Sequence, residues 1–210
     1  MRRLIIVDDH PLIASTLQDV LKNIEGVWSV KHTQSGEEAL NYLLQHHCEL
    51  MVLDISLPDM DGFEIFEKVK ESFPDIKIII YTMHRFPRYL EFFFKHGADG
   101  YLLKSGELGG ITVAVEKVLN GHRFFPKEIF EQHSLDAGQL ILENNQIQFT
   151  ERERDILRLL LENHDNQDIA RILKINNEDI LRARKHMIYK TGVPNTQELL
   201  ALVKRMNLIS

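Results

Sequence analysis

The sequence predicts an α/β protein in two parts, a doubly wound parallel sheet followed by a smaller all-α domain. Three observations carry that prediction. Over the first 121 residues, five short apolar runs rich in β-branched residues alternate with stretches of helical periodicity. The first, third and fourth runs are almost continuously apolar, as strands covered on both faces must be. From about residue 149 the strand-like runs stop and four helical segments follow one another.

In chain order, the strands are expected at "LIIVD" (4–8), "WSVKHT" (28–33), "LMVLD" (50–54), "KIIIYT" (77–82) and "GYLL" (100–103). The helices between and after them are expected at 11–24, 35–46, 61–73, 87–96 and 107–120, several opened by Pro, Ser or Asp and closed by Gly. From His122 to about Gln148 periodicity weakens into a polar, Asn- and Gln-rich stretch, read as a linker. The second part then offers helices at Thr150 to Asn163, Asn166 to Leu173, Asn176 to Thr191 and Thr196 to Met206. Domains are therefore expected at 1–121 and 149–210, joined by 122–148. A chain of 210 residues has room for two such modules.

Bulk properties narrow the class. No apolar run approaches the roughly 18 residues of a spanning helix, and the chain begins with a strand-like run rather than a signal-peptide pattern, so no membrane role and a cytoplasmic location are expected. The single cysteine, Cys48, excludes an internal disulfide and is read as a small packing residue. Charge divides unevenly. Residues 1–147 hold 14 Lys plus Arg against 22 Asp plus Glu, whereas residues 148–210 hold 11 against 9. An acidic first part and a weakly basic second part suit a nucleic-acid module attached to something else.

In a doubly wound sheet, ligands sit at the carboxyl ends of the strands. Here strand one ends in Asp8-Asp9, strand three in Asp54 and strand four in Thr82, while strand five runs into Lys104. One Asp after a strand is most often a turn or capping residue. Three carboxylates at one edge of a sheet repel each other unless a cation compensates them, and hard oxygen donors favour magnesium.

These residues carry a resemblance. "VDDH", "VLDISLPDMDG", "YTMH" and "GYLLKSG", in this order and spacing, resemble the receiver domain of two-component response regulators over residues 1 to about 121. The resemblance implies a five-stranded flavodoxin-like sheet of order 2-1-3-4-5. It implies Asp54 as phosphoacceptor, Asp8, Asp9, Asp54 and the Ser56 backbone carbonyl as Mg²⁺ ligands, Thr82 as switch hydroxyl, Lys104 as phosphate-binding lysine and Tyr101 as switch aromatic. A sensor histidine kinase is then the implied phosphodonor. Ser56 and His84 stand two places beyond the acceptor and the switch Thr, positions that tune the phosphoryl lifetime in the family. Met83 is bulkier than the residue many receivers carry there. Pro58 and Gly62 are read as shaping the loop after strand three.

The second module, "FTERERDILRLLLENHDNQDIARILKINNEDILRARKHMIYKTGVPNTQELLALV", places Ile156, Leu157, Leu159, Leu160, Leu161, Ile169, Ile172, Leu173, Ile175 and Ile180 as core stripes. Its third helix carries Arg182, Arg184, Lys185 and His186 in succession and then Lys190. Such a charge run is commonly only a solvated face. "FTERERDIL", "NQDIARIL" and "YKTGVPNTQELL" resemble the helix-turn-helix domain of NarL/FixJ (LuxR-type) transcription factors, which implies DNA contacts from Arg182, Arg184, Lys185 and Lys190. Where that family commonly has Thr, Lys and His, this chain has Asp179, Leu181 and Ala183. Asn176 is expected to cap the helix, with Asp179 completing a capping box.

Together these features predict a transcription regulator rather than an enzyme, which binds DNA and forms a homodimer when phosphorylated. "YLEFFFKHG" adds a specific expectation: one helix cannot bury three consecutive phenylalanines, so at least one is semi-exposed on the switching face. Two other readings compete. A magnesium-dependent hydrolase with an aspartyl nucleophile would want a second Asp where Ser56 stands. Alternatively, the helical tail is a protein-interaction module with weak or no sequence-specific DNA binding.

Overall fold

The computed structural model describes residues 2–84, 86–105, 108–125, 149–206 and 208–209. The chain divides into two compact units, one running to Leu135 and the other starting at Asp136. Most of the expected linker lies outside the described residues.

The first unit alternates β1 (Arg2–Val7), α1 (Pro11–Leu21), β2 (Val27–Thr33), α2 (Gly36–Gln45), β3 (Leu50–Leu53), α3 (Gly62–Ser72), β4 (Lys77–Thr82), α4 (Pro87–Lys95), β5 (Gly100–Leu103) and α5 (Leu108–Leu119). The strands form one sheet in the order β2-β1-β3-β4-β5, and every neighbouring pair is parallel. This is the predicted doubly wound sheet. All four residues of β3 are buried and five of the six in β4 are, which accounts for their unbroken apolar character.

Strand ends differ from expectation in an informative way. β1 and β3 stop at Val7 and Leu53, so Asp8 and Asp54 are the first residues beyond the ladder, yet their amides still donate to Thr33 and Val7 carbonyls at 3.1 and 2.9 Å. Each carboxylate is therefore set by sheet hydrogen bonds rather than by a free loop. β1 begins earlier than predicted, because the Arg3 guanidinium lies over the Trp28 ring, 4.9 Å from its centroid, and pairing with β2 continues outward. α1 ends at Leu21 although the apolar pattern runs on to Ile24. There the Ile24 amide reaches back only three residues, to Leu21, in a tightened last turn.

The β3–α3 connection is held from both sides. The Asp59 carboxylate accepts from the Gly36 and Glu37 amides at 3.0 and 2.9 Å, capping α2 from a distance. Asp61 caps α3 through the Phe63 amide at 2.7 Å. Gly62 is needed for close approach: a Cβ there would lie 2.5 Å from the Ile55 Cα and 2.6 Å from the Asp54 carbonyl oxygen.

Described residues of the segment after α5 continue the sheet edge. Phe124 makes an isolated parallel bridge with Gly100, and its carbonyl accepts from the Tyr101 amide at 2.9 Å. Arg123 donates to the carbonyls of Phe94 and Ala98 and stacks on Phe94 and Phe125. Residues 122–125, assigned from sequence to the linker, thus pack on the first unit.

The second unit contains α6 (Glu151–Leu161), α7 (Asn166–Leu173), α8 (Asn177–Thr191) and α9 (Thr196–Met206). Phe149, Ile156, Leu157, Ile169, Ile180, Ala183, Met187, Leu199 and Val203 form its buried core. Ile172, expected in that core, is exposed. The α6 start is a full capping box between Thr150 and Glu153. At α8, Asn176 accepts from the Asp179 amide at 2.7 Å as expected of a cap, while the Asp179 carboxylate takes the Arg152 guanidinium at 3.0 Å. Gly192, at φ 71°, closes α8 in the left-handed region.

Candidate functional site

Asp54 is buried at the end of β3, where its Oδ1 accepts from the Ile55 amide at 2.8 Å. The Lys104 ammonium, delivered from the end of β5, lies 2.8 Å from Asp54 Oδ2 and 2.8 Å from Asp8 Oδ2. All three side chains are almost closed to solvent, and the Lys104 amide is fixed by the Thr82 carbonyl at 2.8 Å. The sheet thus brings the ends of β1, β3, β4 and β5 to one point. Asp9 stands at the rim, about a third exposed, with His10 Nδ1 2.8 Å from its Oδ1 and 3.3 Å from Asp8 Oδ1.

The electrostatics are unbalanced. Burial pushes the Asp54 carboxyl above its usual range, and the Lys104 ammonium beside it only partly offsets this. Burial acts to lower the Lys104 pKa, but Asp54 and Asp8 overcome it and hold the ammonium above its ordinary value. One lysine therefore faces two buried carboxylates, with Asp9 adding a third at the rim. Ligand atoms of Asp8, Asp9, His10 and Asp54 lie within 4.8 Å of one another, close enough to share one cation. Carboxylate oxygens from three residues fit a hard divalent ion, which would supply the charge that Lys104 alone does not. His10 was not named from sequence. Its place directly after the acidic pair was the available signal.

Thr82 is fully buried, and its Oγ1 accepts from the His84 amide at 3.2 Å. The Tyr101 hydroxyl donates to the His84 carbonyl at 2.9 Å, so this ring lies inside, with burial holding its pKa well above the ordinary value. The Ser56 hydroxyl and His84 Nε2 are 2.7 Å apart, joining the β3–α3 and β4–α4 connections. Two residues singled out separately in the sequence are thus bonded to each other. Met83, between Thr82 and His84, is exposed. On α4, Phe92 and Phe93 are fully buried and Phe94 is 39% exposed, which meets the expectation for the three phenylalanines.

In the second unit the basic run on α8 does not fan uniformly into solvent. Lys185 is exposed, and Arg182 and Arg184 are half-buried. Arg184 reaches Asn166 Oδ1 at 2.8 Å and Thr196 Oγ1 at 3.0 Å, tying the starts of α7 and α9 to α8. Lys190 corrects the sequence reading: it is buried, with its ammonium 2.8 Å from Glu153 Oε2, so it supports the α6 capping box. His186 is likewise buried. Ala183 packs in the core, leaving Leu181 as the exposed member of the three atypical residues.

Comparison with known proteins agrees with this geometry. Residues 4–116 match the family model of the response regulator receiver domain, and residues 148–203 match that of the bacterial regulatory proteins of the luxR family. The transcriptional regulatory protein MctR of Rhizobium johnstonii is 29% identical over 201 residues, covering 94% of this chain and 91% of that protein. The nitrate/nitrite response regulator protein NarL of Escherichia coli is 28% identical, covering 93% and 91%. Among solved structures, the two-component response regulator RcsB in complex with DNA is similar with a TM-score of 0.59 and 26% identity, over 97% of this chain and 98% of that one.

Proposed function

The chain belongs to the response regulators of the NarL/FixJ kind, and from that premise we propose that Asp54 accepts a phosphoryl group from the phosphohistidine of a sensor kinase and thereby controls DNA binding by the second unit. The observation that carries this is the Lys104 ammonium set 2.8 Å from both Asp54 and Asp8. In the transfer, an Asp54 oxygen forms the new bond to phosphorus as the phosphorus–nitrogen bond of the donor breaks, and the proton balance is met on the leaving imidazole. Lys104 then changes partners, from carboxylate to phosphoryl oxygen. Thr82 offers its hydroxyl to a second oxygen, which draws the β4 end and its bonded His84 inward. His84 carries the Tyr101 hydroxyl and the Ser56 hydroxyl with it. The faces of α4 and β5 change as a population shift between two packings.

Mg²⁺ would be held by Asp8, Asp9 and Asp54 together with the Ser56 backbone carbonyl, and it would neutralise charge on the transferred group. The proposed domains are a receiver over 1–121, a connecting segment over 122–148 whose first residues, 122–125, pack on the receiver, and a helix-turn-helix domain over 149–210. DNA contacts fall to Lys185 and Arg182, while Arg184 braces α8 through Asn166 and Thr196. A dimer formed on phosphorylation suits two half-sites. No helix among the described residues is long and apolar enough to cross a membrane; a cytoplasmic location is part of the proposal. On this reading the protein is a switch and not an enzyme.

A gel-shift series on promoter and random duplexes, with and without a small phosphodonor, tests the proposal. Phosphodonor should raise the affinity of the wild-type protein and leave Asp54→Asn unchanged. Identical shifts for both proteins under both conditions would overturn the proposed control.

A further inference from the structure

The outward face of α8 consists of Asn177, Glu178, Leu181 and Lys185, all exposed, while Ile180, Ala183, Met187 and Lys190 form its buried side. Asn177, Leu181 and Lys185 are spaced four apart and so share one stripe. Leu181 is 50% exposed in the middle of this otherwise polar stripe. It is absent from the buried core, and the residues one turn away on α8, Asn177, Glu178, Arg184 and Lys185, are all polar or charged.

On the reading that α8 enters the major groove, we propose that Leu181 is a specificity residue that contacts the C5-methyl group of a thymine. A recognition helix presents its N-terminal residues to base edges, and Leu181 lies in the first half of α8. A leucine has no donor or acceptor, so it discriminates only through apolar contact. The thymine methyl is the one apolar feature on the major-groove edge of a base pair. The Arg152 guanidinium holds the Asp179 carboxylate, and Arg184 ties α8 to the starts of α7 and α9, so the stripe is presented on a braced helix. Lys185, one turn beyond Leu181, supplies an exposed positive charge for a phosphate or a guanine.

The test selects duplexes from a random pool with the full-length protein at low salt, then replaces each selected thymine in turn by deoxyuridine, which lacks only the methyl group. One thymine position should lose about fourfold in affinity on replacement, the worth of one buried methyl. Leu181→Ala, whose helical content is checked by circular dichroism, should bind the thymine and uracil duplexes equally. Tolerance of uracil at every position by the wild-type protein, or a thymine preference kept by Leu181→Ala, would overturn the proposal while leaving DNA binding intact. Retention of no duplex at low salt would overturn the DNA-binding reading and this inference with it, and would assign Leu181 to a protein-facing surface.

Discussion

The ammonium of Lys190 lies 2.8 Å from the carboxylate of Glu153, with both side chains almost closed to solvent. Glu153 also accepts from the Thr150 amide at 2.8 Å, so the pair locks the last turn of α8 to the first turn of α6. Removing one member leaves the other buried, which costs about 3 to 5 kcal/mol. Lys190→Met should therefore lower the melting temperature of the second unit markedly. A variant that melts like the wild type and loses only DNA affinity would restore Lys190 to the nucleic-acid surface.

Gly62 abuts the backbone at Asp54 and Ile55. Gly62→Ala forces a methyl into space already filled and should cost about 1 to 3 kcal/mol, as overpacking does. The same displacement moves the phosphoacceptor, so phosphorylation from a small donor should slow more than stability alone accounts for. Time courses at a temperature where both proteins are fully folded check this.

Cys48 is buried, and its thiol is pushed from 9.0 up to about 11, by burial first, with Glu49 adding and Arg3 opposing. Alkylation at pH 8 should be slow in the native protein and fast in denaturant. The folded pKa lies above the unfolded one, so the thiol's contribution to stability is complete below the unfolded value and is lost as pH rises from about 9 through about 11. Denaturation curves of the wild type should fall across that window by more than those of Cys48→Ala.

Arg123 pins the segment after α5 to the sheet edge, where Phe124 accepts from the Tyr101 amide. Arg123→Ala should loosen this segment, seen as faster hydrogen exchange at the Tyr101 amide than at Ile80 in the adjacent strand. Equal protection in both proteins would show that Phe124 holds the edge unaided.

The sheet was readable because period-two and period-3.6 patterns alternate cleanly and because polar residues punctuate the strand ends. Asp8, Asp54, Thr82 and Lys104 were readable for the same reason: a charge after an apolar run stands out, and the strand order brings the ends together. Partner choice was less accessible. A basic residue on a helix reads as solvated until the helix is rotated into place, and the buried Glu153 that claims Lys190 lies 37 residues away. The Ser56–His84 bond spans 28 residues and depends on two loops meeting, which periodicity does not encode. Ile172 obeys helical spacing yet is exposed, because α7 is short and presents that side outward.

The most direct test incubates the full chain with a small phosphodonor, with and without Mg²⁺, and maps the modified residue by mass spectrometry under conditions that preserve acyl phosphates. One phosphoryl group should appear on Asp54, only with the metal present, and the Asp54→Asn protein should remain unmodified. Modification elsewhere, or none in saturating donor and metal, would contradict the claim that Lys104 and the three aspartates form a phosphoacceptor site.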